Sequence, residues 1–456
     1  MSIEQHRAAI VVALVAAFMV FVDATIVNIT LPQLTSHLHA SRSELEWAVN
    51  AYTVSFAAVM LGAGAITDVL GAKLAFHAGL LVFTASSAVC ALAGSMGVLD
   101  LARLAQGAGA ALLLPSALVL ATRSAPDENA RHRLVGLWAA AGGVGMAAGP
   151  VLGGALTALA SWRAVFAVNV IIGVPAGVWS GRSMPRAERR RVRLDICGMV
   201  AATALIGGLV FTLIQSPAAG WDSSLVLAAS ALALVGLVTF VLAERAAAAP
   251  ILPPGVYRDP RFLGAVAQGA LFNFAFYGLL FALSLMLQQG HGLGPLTSGL
   301  MVLPLTGVIS IANLCAAPLA RRFDRRVVLA GAEAGLTASL ALLAWASTAR
   351  LLWPLLLALI PTGLSSGLLV TTLTSEVIGA VEAGLHGAAS AAFNAVRQVG
   401  GAVGVATLAP LLETAGSLTE GFTRCLLVGA AAAAAGLVIA TYNRVRRFTA
   451  FASADP

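Results

Sequence analysis

The chain has 456 residues, of which 59% are hydrophobic and only 10% charged, and its mean hydropathy is +0.91. A water-soluble domain carries about 25% charged residues, so most of this surface faces hydrocarbon, and a soluble enzyme or a soluble domain on one anchor is excluded. The net charge of +7 does not point to nucleic acid, because the basic residues sit in short loops between apolar runs.

A helix needs about 20 apolar residues to cross a hydrocarbon core of about 30 Å. Runs of that kind predict fourteen spans, near 8–31, 46–66, 74–95, 99–122, 134–158, 163–181, 197–215, 223–243, 262–287, 297–319, 327–347, 351–374, 388–412 and 424–442. The first run is too long for a signal-peptide core and contains Asp23, so it reads as a retained span. With the N-terminus inside, the inner loops and tails carry 21 of the 27 Lys and Arg residues and the outer loops four, leaving Arg103 and Arg397 within spans. This asymmetry places both termini in the cytoplasm.

An ionisable side chain at mid-membrane costs about 2.5–3.5 kcal/mol on insertion scales, so it marks a partner or a wet cavity. Span 1 offers Asp23, with Thr30 seven residues on near the same face and Asn28 beside it. Burial and a nearby arginine act on the protonation of Asp23 in opposite senses, which suits either proton exchange or a static pair with span 4. Span 2 carries Trp47, Asn50 and Tyr52, candidates for a solute cavity. Trp47 equally suits a place in the interfacial aromatic belt. In span 4, Arg103 and Gln106 lie one turn apart, with Gly107 and Gly109 permitting close helix approach. Span 5 holds Gly136, Gly145, Gly149, Pro150, Gly153 and Gly154, a small-residue face with a proline-weakened hydrogen bond.

The basic run Arg182–Arg193 reads as a topology anchor beside anionic headgroups. In span 9, Phe272, Asn273, Phe276 and Tyr277 suit a cavity or a lipid-facing surface. Glu333 in span 11 is a second membrane acid. Ser390, Asn394, Arg397 and Gln398 form a polar face on span 13, read as a hydrogen-bond network or a substrate contact. The loops 66–73 and 319–326 are both short and polar, with basic residues at the same offset, eight spans apart. Two repeated six-helix halves with a pair of helices inserted between them produce that relation. The cysteines, Cys90, Cys197, Cys315 and Cys425, have neither disulfide nor zinc spacing. No nucleophile motif, paired carboxylates in one span or phosphate-cradling loop occurs, so ATP is not the direct fuel.

With these residues in view, nearly the whole chain resembles the fourteen-helix drug:proton antiporter branch of the major facilitator superfamily. The span 5 glycines and Pro150 match that branch's antiporter motif at every spacing. Asp23 to Pro32 resembles its first-helix motif, with Thr30 in place of alanine. Arg103, Gln106 and Gly107 match its fourth-helix motif, and Trp162, Arg163, Phe166 and Asn169 look like the start of its sixth helix. The loop after span 2 keeps Gly64, Asp68, Gly71 and Lys73 of the family's gating motif, but Val69 and Ala72 replace its two arginines.

The resemblance implies an all-α polytopic fold of two six-helix bundles plus two inserted helices. The bundles fall at 1–181 and 262–443, with the basic linker and inserted pair at 182–261 and a tail at 444–456. It further implies a bacterial cytoplasmic-membrane transporter, not an enzyme, that exports amphipathic small molecules, drugs or antibiotics by alternating access. Protons would be its fuel and no cofactor would be needed, with Asp23 and Arg103 coupling them and Asp68, Gly71 and Lys73 gating. The expected partners are solute, protons and lipid, without nucleic acid, around a monomer. An exporter dedicated to one self-made metabolite, a proton symporter and a transport-dead sensor or embedded enzyme remain the alternatives.

Overall fold

In the computed structural model, which describes residues 3–123, 127–183, 195–246, 254–257, 259–349, 352–382, 385–412 and 414–452, no strand occurs among the described residues. The helices in chain order are α1 (Ile3–Ile26), α2 (Leu31–Leu38), α3 (Arg42–Leu70), α4 (Ala72–Leu92), α5 (Met96–Arg123), α6 (Glu128–Leu159), α7 (Trp162–Ser183), α8 (Ile196–Ala219) and α9 (Ser224–Ala246). They continue as α10 (Pro254–Tyr257), α11 (Pro260–Leu285), α12 (Pro295–Arg322), α13 (Arg325–Ala346), α14 (Leu352–Gly379), α15 (His386–Leu408) and α16 (Leu418–Ala452). Among the described residues, fourteen helical segments are long and apolar enough to cross a membrane, and all fourteen predicted spans coincide with them. The first crosses as α1, a 3-10 turn at Val27–Thr30 and α2. Of the basic linker, Arg182 closes α7, while Arg186, Arg189, Arg190, Arg191 and Arg193 lie outside the described residues.

Helix ends are set by local chemistry. Ser41 and Glu44 form a reciprocal capping box at the start of α3. Asp127, Asp195, Asp259 and Asp324 each accept a backbone N–H at the start of α6, α8, α11 and α13. A single residue, Gly71, joins α3 to α4 at φ 81°, a backbone conformation that side chains other than glycine rarely adopt.

The chain divides into two compact units, Met1–Ile251 with Gly292–Leu300, and Leu252–His291 with Met301–Pro456. In the first, α1 and α6 run parallel at close range. A Cβ on Gly145 would meet the Phe18 backbone, one on Gly149 would meet Val22 and Thr25, and one on Gly153 would meet Ile26. Both helices advance four residues per contact, the spacing that keeps one face of each helix on the seam. The first turn of α12 also belongs to this unit, and Gly154 and Gly299 let it approach α6 at Pro295 and Pro150. The second unit repeats the device, since Gly400 and Gly404 on α15 lie against the backbone of Ala270 and Phe274 on α11. These two parallel pairs stand eight spans apart, as do the two similar loops.

Candidate functional site

In the first unit, one polar cluster is sealed inside five helices. Asp23 on α1 is 0% exposed and Arg103 on α5 is 1% exposed, and Arg103 Nη1 donates to Asp23 Oδ2 at 2.5 Å. The other carboxylate oxygen accepts Gln106 Nε2 at 2.8 Å and Asn169 Nδ2, from α7, at 2.7 Å. Arg103 Nη1 also donates to Gln106 Oε1 at 2.8 Å, and its Nε donates to the Ala48 carbonyl at 3.0 Å. Gln106 Nε2 reaches Ser87 Oγ on α4 at 2.8 Å. The Arg103 guanidinium lies 4.5 Å from the Tyr52 ring centre on α3 and 5.8 Å from that of Phe166 on α7.

The geometry has a plain physical reason. Two opposite charges buried in a low dielectric hold together only when their remaining hydrogen-bonding groups are also met. Here one carboxylate receives three side-chain N–H donors from α5 and α7. Aromatic faces from α3 and α7 cover the cation. Removing one charge would strand the other, a cost of about 3–5 kcal/mol.

Asp23, Arg103 and Gln106, singled out in the sequence, are thus in mutual contact. Asn169 and Ser87 complete the cluster. Asn169 entered the sequence reading only through the family motif and Ser87 not at all, because an uncharged side chain in a span gives no penalty to detect. Tyr52 contributes its ring, and its hydroxyl donates to the Val20 carbonyl at 3.4 Å. A 3-10 turn at Val27–Thr30 interrupts the α-helix between Asp23 and Thr30 and leaves Thr30 about 60° around the axis from Asp23. The Thr30 hydroxyl donates to the Val27 carbonyl, and Asn28 Nδ2 donates to the Thr25 carbonyl.

The other candidates fall elsewhere. Trp47 packs against Phe211 of α8, ring centres 5.6 Å apart. Asn50 is 1% exposed and neither of its amide atoms meets a partner among the described residues. At the α3–α4 turn, Lys73 Nζ donates to the Gly181 carbonyl near the end of α7, at 3.0 Å, and Asp68 is half-buried. On α6, Pro150 has no N–H for the Met146 carbonyl, and Thr25 Oγ1 sits 3.3 Å from that oxygen.

In the second unit, Phe272, Asn273, Phe276 and Tyr277 are all buried, so these side chains do not face lipid. Arg397 Nε and Nη2 lie 3.4 Å from Asn273 Oδ1, and its guanidinium stands 5.3 Å from the Phe393 ring centre. Asn394 Nδ2 donates to the Ser390 carbonyl, and Gln398 Oε1 is buried without a partner among the described residues. Glu333, 1% exposed, has its carboxylate against Gly436 of α16, and its Oε1 accepts no hydrogen bond among the described residues. No group of His, Cys, Asp and Glu able to hold a metal occurs among the described residues.

Comparison with known proteins agrees with this architecture. The chain is 35% identical over 432 residues to a methylenomycin A resistance protein of Bacillus subtilis (94% of this chain and 93% of that one). It is 36% identical over 423 residues to a cephamycin export protein of Amycolatopsis lactamdurans (91% and 86%). The crystal structure of the human organic anion transporter MFSD10 superposes with a TM-score of 0.65 at 17% identity (95% and 99%), a likeness of fold. The sequence pattern of the Major Facilitator Superfamily matches residues 13–405. With its fourteen apolar helices, its parallel glycine seams and that match, the chain belongs to the Major Facilitator Superfamily of membrane transporters.

Proposed function

We propose that the protein exports amphipathic small molecules, antibiotics among them, across the bacterial cytoplasmic membrane in exchange for protons. Transport proceeds by alternating access between the bundles at 1–181 and 262–443, in a monomer with both termini in the cytoplasm and with no cofactor. The observation that carries the reading is the sealed Asp23–Arg103–Gln106–Asn169 cluster, a carboxylate and a guanidinium paired inside the membrane spans. Relatives named for antibiotic resistance and export support the direction, and the 21-to-4 charge asymmetry supports the orientation. A membrane potential of about 100 mV supplies about 2.3 kcal/mol per charge moved. At about 1.4 kcal/mol per tenfold, one charge sustains a gradient of about fifty-fold.

The test is efflux and resistance in cells carrying wild type or Asp23→Asn at matched membrane levels. The panel includes methylenomycin A and a cephamycin, with and without a protonophore. Wild type is expected to export at least one compound in a protonophore-sensitive way, and Asp23→Asn to lose that export. Export indifferent to the protonophore would refute proton coupling, and export surviving in the variant would move the coupling acid to Glu333. The relatives named for single antibiotics favour a second reading, an exporter dedicated to one metabolite, which resistance confined to one compound would establish.

A further inference from the structure

Arg103 in the first unit and Arg397 in the second lie well inside their spans, and their surroundings differ. Arg103 is sealed against Asp23. Arg397 faces no carboxylate within ion-pair distance among the described residues, and Asn273 Oδ1 is its one hydrogen-bond acceptor there, at a long 3.4 Å from both Nε and Nη2. Arg397 is also partly exposed, whereas Arg103 is not.

The position is nevertheless built. Gly269 on α11 opens the space for the arginine stem, since a Cβ there would stand 2.9 Å from Arg397 Cγ. The Phe393 ring flanks the guanidinium, and Asn273 steers two of its nitrogens. A permanent cation inside a membrane span is costly unless an anion meets it. Here the protein supplies the aiming groups and leaves the anion out. A planar guanidinium with free N–H groups, flanked by the Phe393 ring, fits the carboxylate of an amphipathic acid in a two-pronged contact.

We propose that Arg397, steered by Asn273, is an anion subsite and that the solutes this transporter takes are amphipathic organic acids. The proposal rests on the reading of the chain as a small-molecule exporter and names its substrate class.

The test is binding to the purified full-length chain in nanodiscs of phosphatidylcholine alone, which removes anionic lipid headgroups as the source of the anion. Three dansyl probes on the same eight-carbon chain are compared by fluorescence: the carboxylic acid, its methyl ester and the primary amine. Wild type is expected to bind the acid about tenfold more tightly than the ester, the preference a charge-assisted pair gives. That ratio is expected to fall to about one in Arg397→Gln and to survive largely in Arg397→Lys. Should Arg397→Gln not fold, Asn273→Ala, which keeps the charge and loses its steering, is expected to lower the ratio severalfold. Equal binding of acid and ester to wild type, preference for the amine, no binding of any probe, or a ratio unchanged in the variants overturns the proposal. Flux of the acid in proteoliposomes under a proton gradient reads the export function separately. Acid-selective binding without such flux leaves the subsite standing and sinks proton-driven export.

Discussion

Alanine at each glycine of the α6 motif should separate the positions that hold the α1 seam from those that do not. At Gly145 the new Cβ would stand 2.6 Å from the Phe18 carbonyl oxygen and 3.1 Å from Phe18 Cα. Both neighbours are backbone, so no side chain can swing aside and the helices themselves must part. Overpacking of that kind costs about 1–3 kcal/mol. At Gly136, in the same helix and the same motif, a Cβ meets nothing within 4 Å. Both substitutions gain the helix propensity of alanine over glycine, about 1 kcal/mol. That gain cancels in the comparison, so the difference between the two variants isolates the seam at about 1–3 kcal/mol. The assay is reversible unfolding of the purified protein in mixed micelles, with efflux measured in parallel. Gly145→Ala should be the less stable of the two and should transport poorly, with Gly136→Ala about 1 kcal/mol more stable than wild type and near it in transport. Equal stabilities would refute the argument that close backbone approach is what the motif supplies at Gly145.

Arg103→Gln strands the Asp23 charge and should destabilise the first unit by about 3–5 kcal/mol, while the double variant with Asp23→Asn should recover much of this; thermal melting of the four proteins completes the cycle. Gly71→Ala forces a residue with a side chain to φ 81° and should cost about 1–3 kcal/mol, visible as a lowered melting temperature. Thr25→Val removes the hydroxyl over the Met146 carbonyl and should cost about 1 kcal/mol, with Thr25→Ser near wild type by the same melting assay.

How far the sequence can be read depends on what leaves a mark in hydropathy. Fourteen spans were legible because each is a long, largely apolar run, and the charge alternation checks their number. Asp23, Arg103 and Gln106 were legible as a group because two charges in hydrocarbon demand an explanation and the third lies one turn from the second. Ser87 was not, since a serine satisfied by any nearby carbonyl passes unnoticed in a span, and its link to Gln106 is a tertiary fact. The change of helix type between Asp23 and Thr30 was hidden because period counting assumes an unchanged helix, and only the backbone reveals the tighter turn at Val27–Thr30. The inward-facing aromatics of α11 were ambiguous for a related reason: lipid and protein interior are equally apolar, so an all-apolar helix carries no periodic record of which side is which.

The hydroxyl of Thr25 has a mechanical meaning beyond its contribution to stability. It carries one proton and lies 3.3 Å from the Phe21 carbonyl, 3.2 Å from that of Val22 and 3.3 Å from that of Met146. The first two acceptors are on its own helix and the third is across the seam. When α6 shifts along α1, the proton can pass to a carbonyl of its own helix, and no buried donor is left bare at any point. The contact therefore keeps the buried donor satisfied from either side, while across the seam it serves the one α6 carbonyl that Pro150 leaves without an N–H.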